Sequence, residues 1–375
     1  MSSTVLALGL ILAMIFTDFN NWPKAFRTYA LAFIFVIYIS KLVIVPFVLV
    51  DDIIRFIKWI SIKISGPAET GTNVAVTDGI SRSEFISRAA LIVALIPFTS
   101  LIYGMVYGGT DYKVRKRKLS FSNLPKAFNG LKILQISDLH TGSFMTPDPL
   151  ERAVKIINEQ EADIVFFTGD LVNNKTDEVY PFMETLKKIK AKKGIYSILG
   201  NHDYGDYVQW ETPLLKQKNL TDLYDVHKNL GWQLLRNENV VLEKEGEKIA
   251  VAGVENWGAS MRFPKYGDLK KAYHGLPENA FTILLSHDPS HWDAQVLEHP
   301  HKANITLSGH THGMQFGIDT KVFKWSPAQY VYPRWAGLYK ANNMHLYVNR
   351  GLGYLGYPGR AGIRPEITVI ELHSA

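Results

Sequence analysis

Leu307-Ser308-Gly309-His310-Thr311-His312-Gly313 closes a short apolar run, Ile305 to Leu307, and sets two histidines two residues apart between glycines. The run predicts a buried strand and the glycines a tight turn at its carboxyl end, so both imidazoles converge on one point above a sheet. Histidine is the commonest metal-ligating side chain. A lone His-x-His also occurs on ordinary surface strands, so its meaning depends on partners upstream.

The same punctuation recurs along the chain. Leu131 to Ser137 is an apolar strand running into Asp138-Leu139-His140, and Asp163 to Thr168 runs into Gly169-Asp170. Ile195 to Leu199 runs into Gly200-Asn201-His202-Asp203, and Phe281 to Ser286 into His287-Asp288-Pro289. Thr146 and Pro147 predict a helix start, running to about Gln160; further helices are expected near Pro181 to Ala191 and from Pro289 to about Glu298. A hairpin pairs Val240 to Glu243 with Lys248 to Gly253, and Val322 to Leu372 is rich in β-formers and turns. Strand–helix alternation with a β-rich tail predicts an α/β layered sandwich in which a second sheet packs on the first.

In open α/β sheets, ligands gather at the carboxyl ends of strands. Each polar residue there has a plain reading by itself: Asp138 or Asp170 as a cap, Asn201 as a turn residue, His287 as a satisfied core histidine. Five consecutive strand ends bearing Asp, His or Asn point instead to one site. Carboxylate, imidazole and carboxamide oxygen without sulfur suit Mn, Fe or Zn. A carboxylate bridging two ions ~3.5–4 Å apart gives a clamp for in-line displacement at phosphorus, and the ions supply a hydroxide nucleophile near neutral pH.

D-x-H, G-D, G-N-H-D, H and G-H-x-H in this order resemble the calcineurin-like metallophosphoesterase family, over roughly Leu131 to Leu372. Leu346-Tyr347-Val348-Asn349-Arg350-Gly351-Leu352-Gly353 and Pro365-Glu366-Ile367 resemble the end of its membrane-anchored branch, which includes phosphodiesterases and enzymes that split the pyrophosphate of a UDP-linked diacylated glucosamine. Met314 departs from that branch, which often has glycine there. The resemblance implies a layered α/β/β/α sandwich with two mixed sheets. It also implies one ion on Asp138, His140, Asp170 and His312 and a second on Asp170, Asn201, His287 and His310. His202 would contact the phosphate and act as acid, oriented by Asp203.

The rest of the 375 residues divides unevenly. With no cysteine, disulfides, thiolate ligands and a Cys nucleophile are excluded. The charge of +6 is modest, and its one dense cluster, Lys113 to Lys118, reads as membrane-flanking charge; no nucleic acid partner is expected. Residues 1–118 read as a membrane region with two to three spans: Thr28 to Val50, interrupted by Lys41, Ala89 to Tyr107, carrying Pro97, and the shorter Val5 to Phe16. Asp51 to Ile64 alternates charge with Ile, Phe and Trp, the pattern of a helix lying at the interface. Residues 119–375 hold the phosphoesterase domain, reached through a linker from Ser120 to Gly130. Two readings of orientation stand. The basic cluster after the last span favours a cytoplasmic domain. Ser81-Arg82-Ser83-Glu84-Phe85-Ile86 resembles a twin-arginine export signal with Ser83 in place of the second arginine, which favours the other side.

Trp257, Arg262 and Phe263 share a Gly/Asn/Pro-bearing loop, Gly253 to Gly267, where an apolar tail and a phosphate could both be met. The other histidines, His291 on a solvent-facing helix among them, read as outside the site. The expectation is an integral membrane phosphoesterase with two divalent ions, acting on a phosphodiester or phosphomonoester of a lipid or envelope substrate. A pyrophosphatase of a nucleotide-linked lipid and a non-catalytic metal-binding membrane scaffold are the alternatives.

Overall fold

The computed structural model describes residues 2–65, 80–261, 263–277 and 279–375. It contains two compact units, Met1–Gly104 and Met105–Ala375.

The first unit is built from α1 (Ser2–Phe16), α2 (Lys24–Leu42), α3 (Val45–Ser65) and most of α4 (Arg82–Val106). Lys24–Ile64 and Arg82–Val106 are long and apolar enough to cross a membrane by length and composition, and Ser3–Phe16 is a shorter apolar helix. Packing here is inverted relative to a water-soluble core. Small residues are buried (Ala7, Ala30, Ala32, Ala90, Ala94), while Leu12, Ile15, Leu31, Ile53, Leu91, Ile92 and Ile96 face outward. In lipid no hydrophobic drive hides large side chains, and small ones let helices approach. Polar groups pair inside. Lys41 donates to the Thr4 hydroxyl. Asp51 is buried and joins α3 to α4 by binding Arg55 and, at 3.4 Å, Arg82. The stretch expected to lie flat at the interface is thus the continuation of α3, with its first acid turned inward. Arg82, from the twin-arginine-like stretch, is occupied in that pair.

The second unit begins with a strand the sequence did not betray. The basic run expected to flank a span is β1 (Lys113–Phe121), paired in parallel with the C-terminal strand from Lys113↔Glu366 to Phe121↔Ser374. The domain boundary expected at 118/119 therefore falls earlier, and Ser120 to Gly130 is no free linker. An edge strand tolerates Lys and Arg, which also discourage edge-to-edge pairing, so it lacks the apolar signature of a central strand.

The remaining strands follow in order: β2 (Leu131–Ile136), β3 (Ile164–Phe167), β4 (Ile195–Ser197), β5 (Trp232–Leu234), β6 (Glu238–Lys244) and β7 (Glu247–Gly253). Then come β8 (Thr282–Leu285), β9 (Ile305–Ser308), the small pair β10 (Ile318–Asp319) and β11 (Lys324–Trp325), β12 (Gly337–Ala341), β13 (Met344–Val348) and β14 (Glu366–Ser374). Two six-stranded mixed sheets result, ordered β1-β14-β2-β3-β4-β5 and β12-β13-β9-β8-β7-β6. β2 to β5 run parallel in the first sheet, and β7, β8, β9 and β13 in the second.

Residue alternation sorts the layers. Ile133, Ile164, Phe166 and Ile198 meet Val251, Ile283, Leu285, Ile305, Leu307 and Tyr347 between the sheets. Leu134, Val165 and Phe167 point the other way, onto α5 (Asp148–Asn158) and α6 (Pro213–Asn229). The outer face of the second sheet covers Leu269, Tyr273, Trp292 and Val296. This is the α/β/β/α order expected. Strands buried on both faces read as unbroken apolar runs, which is why they were legible.

The buried His227 illustrates a cost of this packing. Its Nδ1 lies 3.0 Å from Ser197 Oγ, and burial lowers its pKa from 6.5 to about 3. A histidine held neutral in the fold contributes stability present above pH ~6.5 and lost as pH falls toward its folded value, at roughly 1.4 kcal/mol per unit. His227→Gln should therefore remove about 2 kcal/mol of the stability loss between pH 6.5 and 4.5. Urea midpoints of the full chain at the two pH values check this, and equal losses for both chains would refute it.

Candidate metal centre

The carboxyl ends of β2, β3, β4, β8 and β9 meet at one edge of the sandwich. Asp138 and His140 follow β2, Asp170 follows β3, Asn201 to Asp203 follow β4, His287 follows β8, and His310 and His312 follow β9. Five of these residues hold the left-handed backbone that side chains rarely adopt: Asp138 (φ 51°), His140 (47°), Asp170 (61°), His310 (74°) and His312 (50°). Each such residue costs ~1–3 kcal/mol unless its surroundings enforce it, and such residues concentrate at functional sites. Here the enforcement is partly backbone bonding between sheet ends: Asp138 N–H to Gly169 O at 2.9 Å and His140 N–H to Asp170 O at 3.1 Å. The neighbouring glycines are required by space. A Cβ on Gly200 would overlap the Asp170 carboxylate, and one on Gly309 the Asp138 carboxylate.

Two sets of donor atoms converge: Asp138, His140 and His312, and Asp170, His287 and His310. In the first, His140 Nε2 lies 3.0 Å from His312 Nε2, which lies 3.3 Å from Asp138 Oδ1. In the second, His310 Nδ1 is 3.3 Å from His287 Nε2 and 2.7 Å from Asn201 Oδ1. Asp170 Oδ2 lies between the sets, 3.5 Å from His140 Nε2 and 3.2 Å from His287 Nε2. Imidazole lone pairs aimed at one another beside carboxylates are reconciled by a cation between them, so the donor set fits two divalent ions. Outer bonds hold the rings: His287 Nδ1 lies 2.7 Å from Thr168 O, and Tyr332 Oη 2.7 Å from His310 Nε2.

The charges show the same need. Burial by itself would lower the His287 pKa; the Asp170 and Asp138 carboxylates and the Thr168 carbonyl together outweigh it and lift the group to about 10. Burial would raise the Asp170 carboxyl, but His287 and His202 hold it well below the usual range.

His202 sits beside the first set, its ring centroid 5.0 Å from that of His140. Its Nδ1 lies 2.7 Å from Asn173 O, a pure acceptor, so Nδ1 carries hydrogen and donates. Asp203 was expected to orient this ring and does not. Its carboxylate accepts backbone N–H bonds from Gly200, Asp170, Leu171 and Val172 at 2.8, 2.8, 2.8 and 3.2 Å. Asp203 thus ties the β3 and β4 ends together, and the Asn173 carbonyl positions His202.

Residues 131–314 match the family model "Calcineurin-like phosphoesterase", and residues 1–109 match "Probable Calcineurin-like phosphoesterase, transmembrane domain". The chain is 34% identical over 285 residues to "Uncharacterized metallophosphoesterase YkuE" of Bacillus subtilis (strain 168), covering 73% of this chain and 92% of that protein. The chain belongs to the calcineurin-like metallophosphoesterase family. It is 30% identical over 297 residues to "Transmembrane protein with metallophosphoesterase domain" of Danio rerio, covering 77% of this chain. The match spans 63% of that relative's length. The family is one of metal-dependent hydrolases of phosphoric esters, and the transmembrane-domain match together with the apolar helices supports a membrane location.

Beside this centre lies one residue the sequence did not single out. Arg360 is fully buried and places Nη2 3.1 Å from His312 Nδ1, while its Nε donates to Gly353 O at 2.9 Å. The tail motif packs directly on the site: a Cβ on Gly351 would lie 2.8 Å from Asp138 Cβ, and one on Gly353 would overlap Leu139 O. Arg350 and Glu366, from the two tail stretches, form a buried ion pair. Met314, with φ 48°, leaves its side chain exposed beside the centre.

Of the expected substrate contacts, Phe263 packs edge-on against His310 with centroids 5.1 Å apart. It lines a cavity of about 530 Å³ with Pro289, Ala294, Val331, Tyr332 and Arg334. Trp257 is not among those walls. It is buried, stacked 4.6 Å from the His291 ring. His291, expected to face solvent, is itself buried between Ser286 Oγ (2.8 Å) and Gln295 Oε1 (3.0 Å). Arg262 lies outside the described residues.

Proposed function

We propose that this metallophosphoesterase hydrolyses a phosphodiester of a lipid, with Asp138, His140, Asp170 and His312 holding one divalent ion and Asp170, Asn201, His287 and His310 the other. Mn, Fe and Zn all suit this donor set. When bound, the pair supplies positive charge for the phosphate oxygens and an ionised water. The chain's own groups do the rest. Asp170 keeps the two positions adjacent, Asn201 presents its oxygen beside His310, and His202 contacts the phosphate and protonates the departing oxygen. Residues before the phosphoesterase domain anchor it through two to three spans.

The observation that carries the lipid reading is the apolar cavity beside His310. Phe263, Val331 and Tyr332 wall it, and nearby loops expose Met261 (96%) and Tyr330 (76%). Exposed apolar loop residues beside a catalytic cleft suit an acyl chain better than a soluble headgroup. Cleavage of a pyrophosphate linking a nucleotide to a lipid meets the same requirement.

The test compares a diacyl glycerophosphodiester with its deacylated form, using the full chain in mixed micelles. The acylated ester should have the higher kcat/KM. Phe263→Ala should reduce that value about tenfold, with little change for the deacylated ester. Equal kcat/KM for both esters would overturn the lipid assignment and leave the phosphodiesterase reading intact.

A further inference from the structure

A second cavity of the second unit lies away from the metal centre. Its volume is about 1190 Å³. It opens where β8, β9 and β13 begin, beside the end of β1, lined by Ala280, Ala303, Asn304, Met344 and Phe121. The metal-centre residues follow the opposite ends of β8 and β9. Asn304 and His310 are six residues apart along nearly extended chain, ~20 Å.

The walls combine basic, amide and apolar side chains. Lys270, Lys302 and Lys340 border the cavity with His299, His301 and His345, and no Asp or Glu is among the described lining residues. Tyr273 lies under them, its ring centroid 4.4 Å from His301 and 4.9 Å from His299. Tyr273 Oη is buried behind this wall without a hydrogen-bond partner among the described residues. The three histidines do not make a metal site. Among the described residues the metal-competent groups are the two at the other end of the sandwich.

We propose that this cavity is a second binding site, for a phosphate-bearing anion, separate from the metal centre. Three ammonium groups supply the charge, imidazole groups the short-range bonds, and Phe121, Leu276, Leu297 and Met344 an apolar floor for the organic part. The volume exceeds what inorganic phosphate needs, so the ligand is a phosphate monoester with an organic body, soluble or lipid-borne.

The test is equilibrium binding of glycerol 3-phosphate to the metal-loaded full chain in detergent, followed by calorimetry. Wild type should show two sites. Chelation should abolish the one at the metal centre and leave the other. Lys302→Gln/Lys340→Gln should weaken the surviving site at least about tenfold, with metal content and hydrolysis of a soluble diester unchanged. Competition with phosphatidic acid in micelles assigns the source: displacement of glycerol 3-phosphate marks a lipid headgroup, and no displacement a soluble ester. A single site removed by chelation, or a chelation-resistant site indifferent to the lysine variant, would overturn the proposal.

Discussion

Asp170→Ala should lose both metal ions and about 10⁴-fold of the rate on a simple phosphodiester, ~5 kcal/mol of barrier. The magnitude follows from position. Asp170 Oδ2 faces His140 at 3.5 Å and His287 at 3.2 Å, so one carboxylate serves both donor sets. Its Oδ1 accepts the His202 backbone N–H at 2.9 Å, which also aligns the β4 end. His312→Ala removes a donor from one set alone and should retain roughly one ion. Elemental analysis of both variants against wild type checks the difference. Asp170→Asn keeps the size and an acceptor for His202 N–H, and so separates metal loss from misfolding. Two tightly held ions in either Asp170 variant would refute the shared-ligand assignment.

His202→Asn should reduce kcat by about 10²–10⁴ for a diester with an alkoxide leaving group while both ions stay bound. Asn173 O holds Nδ1–H at 2.7 Å, so Nε2 is the atom left to deliver a proton. A p-nitrophenolate scarcely needs that proton, and its loss should be much smaller. Rates for the two leaving groups, with metal content measured on the same sample, decide the role. Equal losses at full metal occupancy would leave His202 as a phosphate-binding or structural residue and remove it as the acid.

The donor residues were legible because each closes a short, fully apolar strand with glycine beside it, and buried parallel strands carry the strongest sequence signal. What the sequence hid shares a physical reason: the apolar pattern was absent or diluted. β1 is charged because it is an edge. α6 buries Asn219, Leu223, Val226 and His227, a face at helical spacing that is half polar, so no apolar stripe marked it. Thr212 and Pro213 were its available start signal, with the Thr212 hydroxyl accepting the Leu215 N–H at 3.3 Å. His291 looked like a surface residue because histidine is polar, yet Ser286 and Gln295 satisfy both of its nitrogens in the core. Arg360 sits 48 residues from His312, in a Gly/Pro-rich loop with no periodicity. An arginine between the two stretches of the tail motif was the one available hint.

The most direct test of the central claim is metal stoichiometry read against turnover. The full chain, stripped with a chelator in detergent and reloaded stepwise with Mn, is assayed on bis-p-nitrophenyl phosphate. The stripped chain should be inactive, and turnover should rise to its plateau as bound metal reaches two ions per chain. Turnover that survives stripping, or none with two ions bound, would contradict a dinuclear metallophosphoesterase built on Asp138, His140, Asp170, Asn201, His287, His310 and His312.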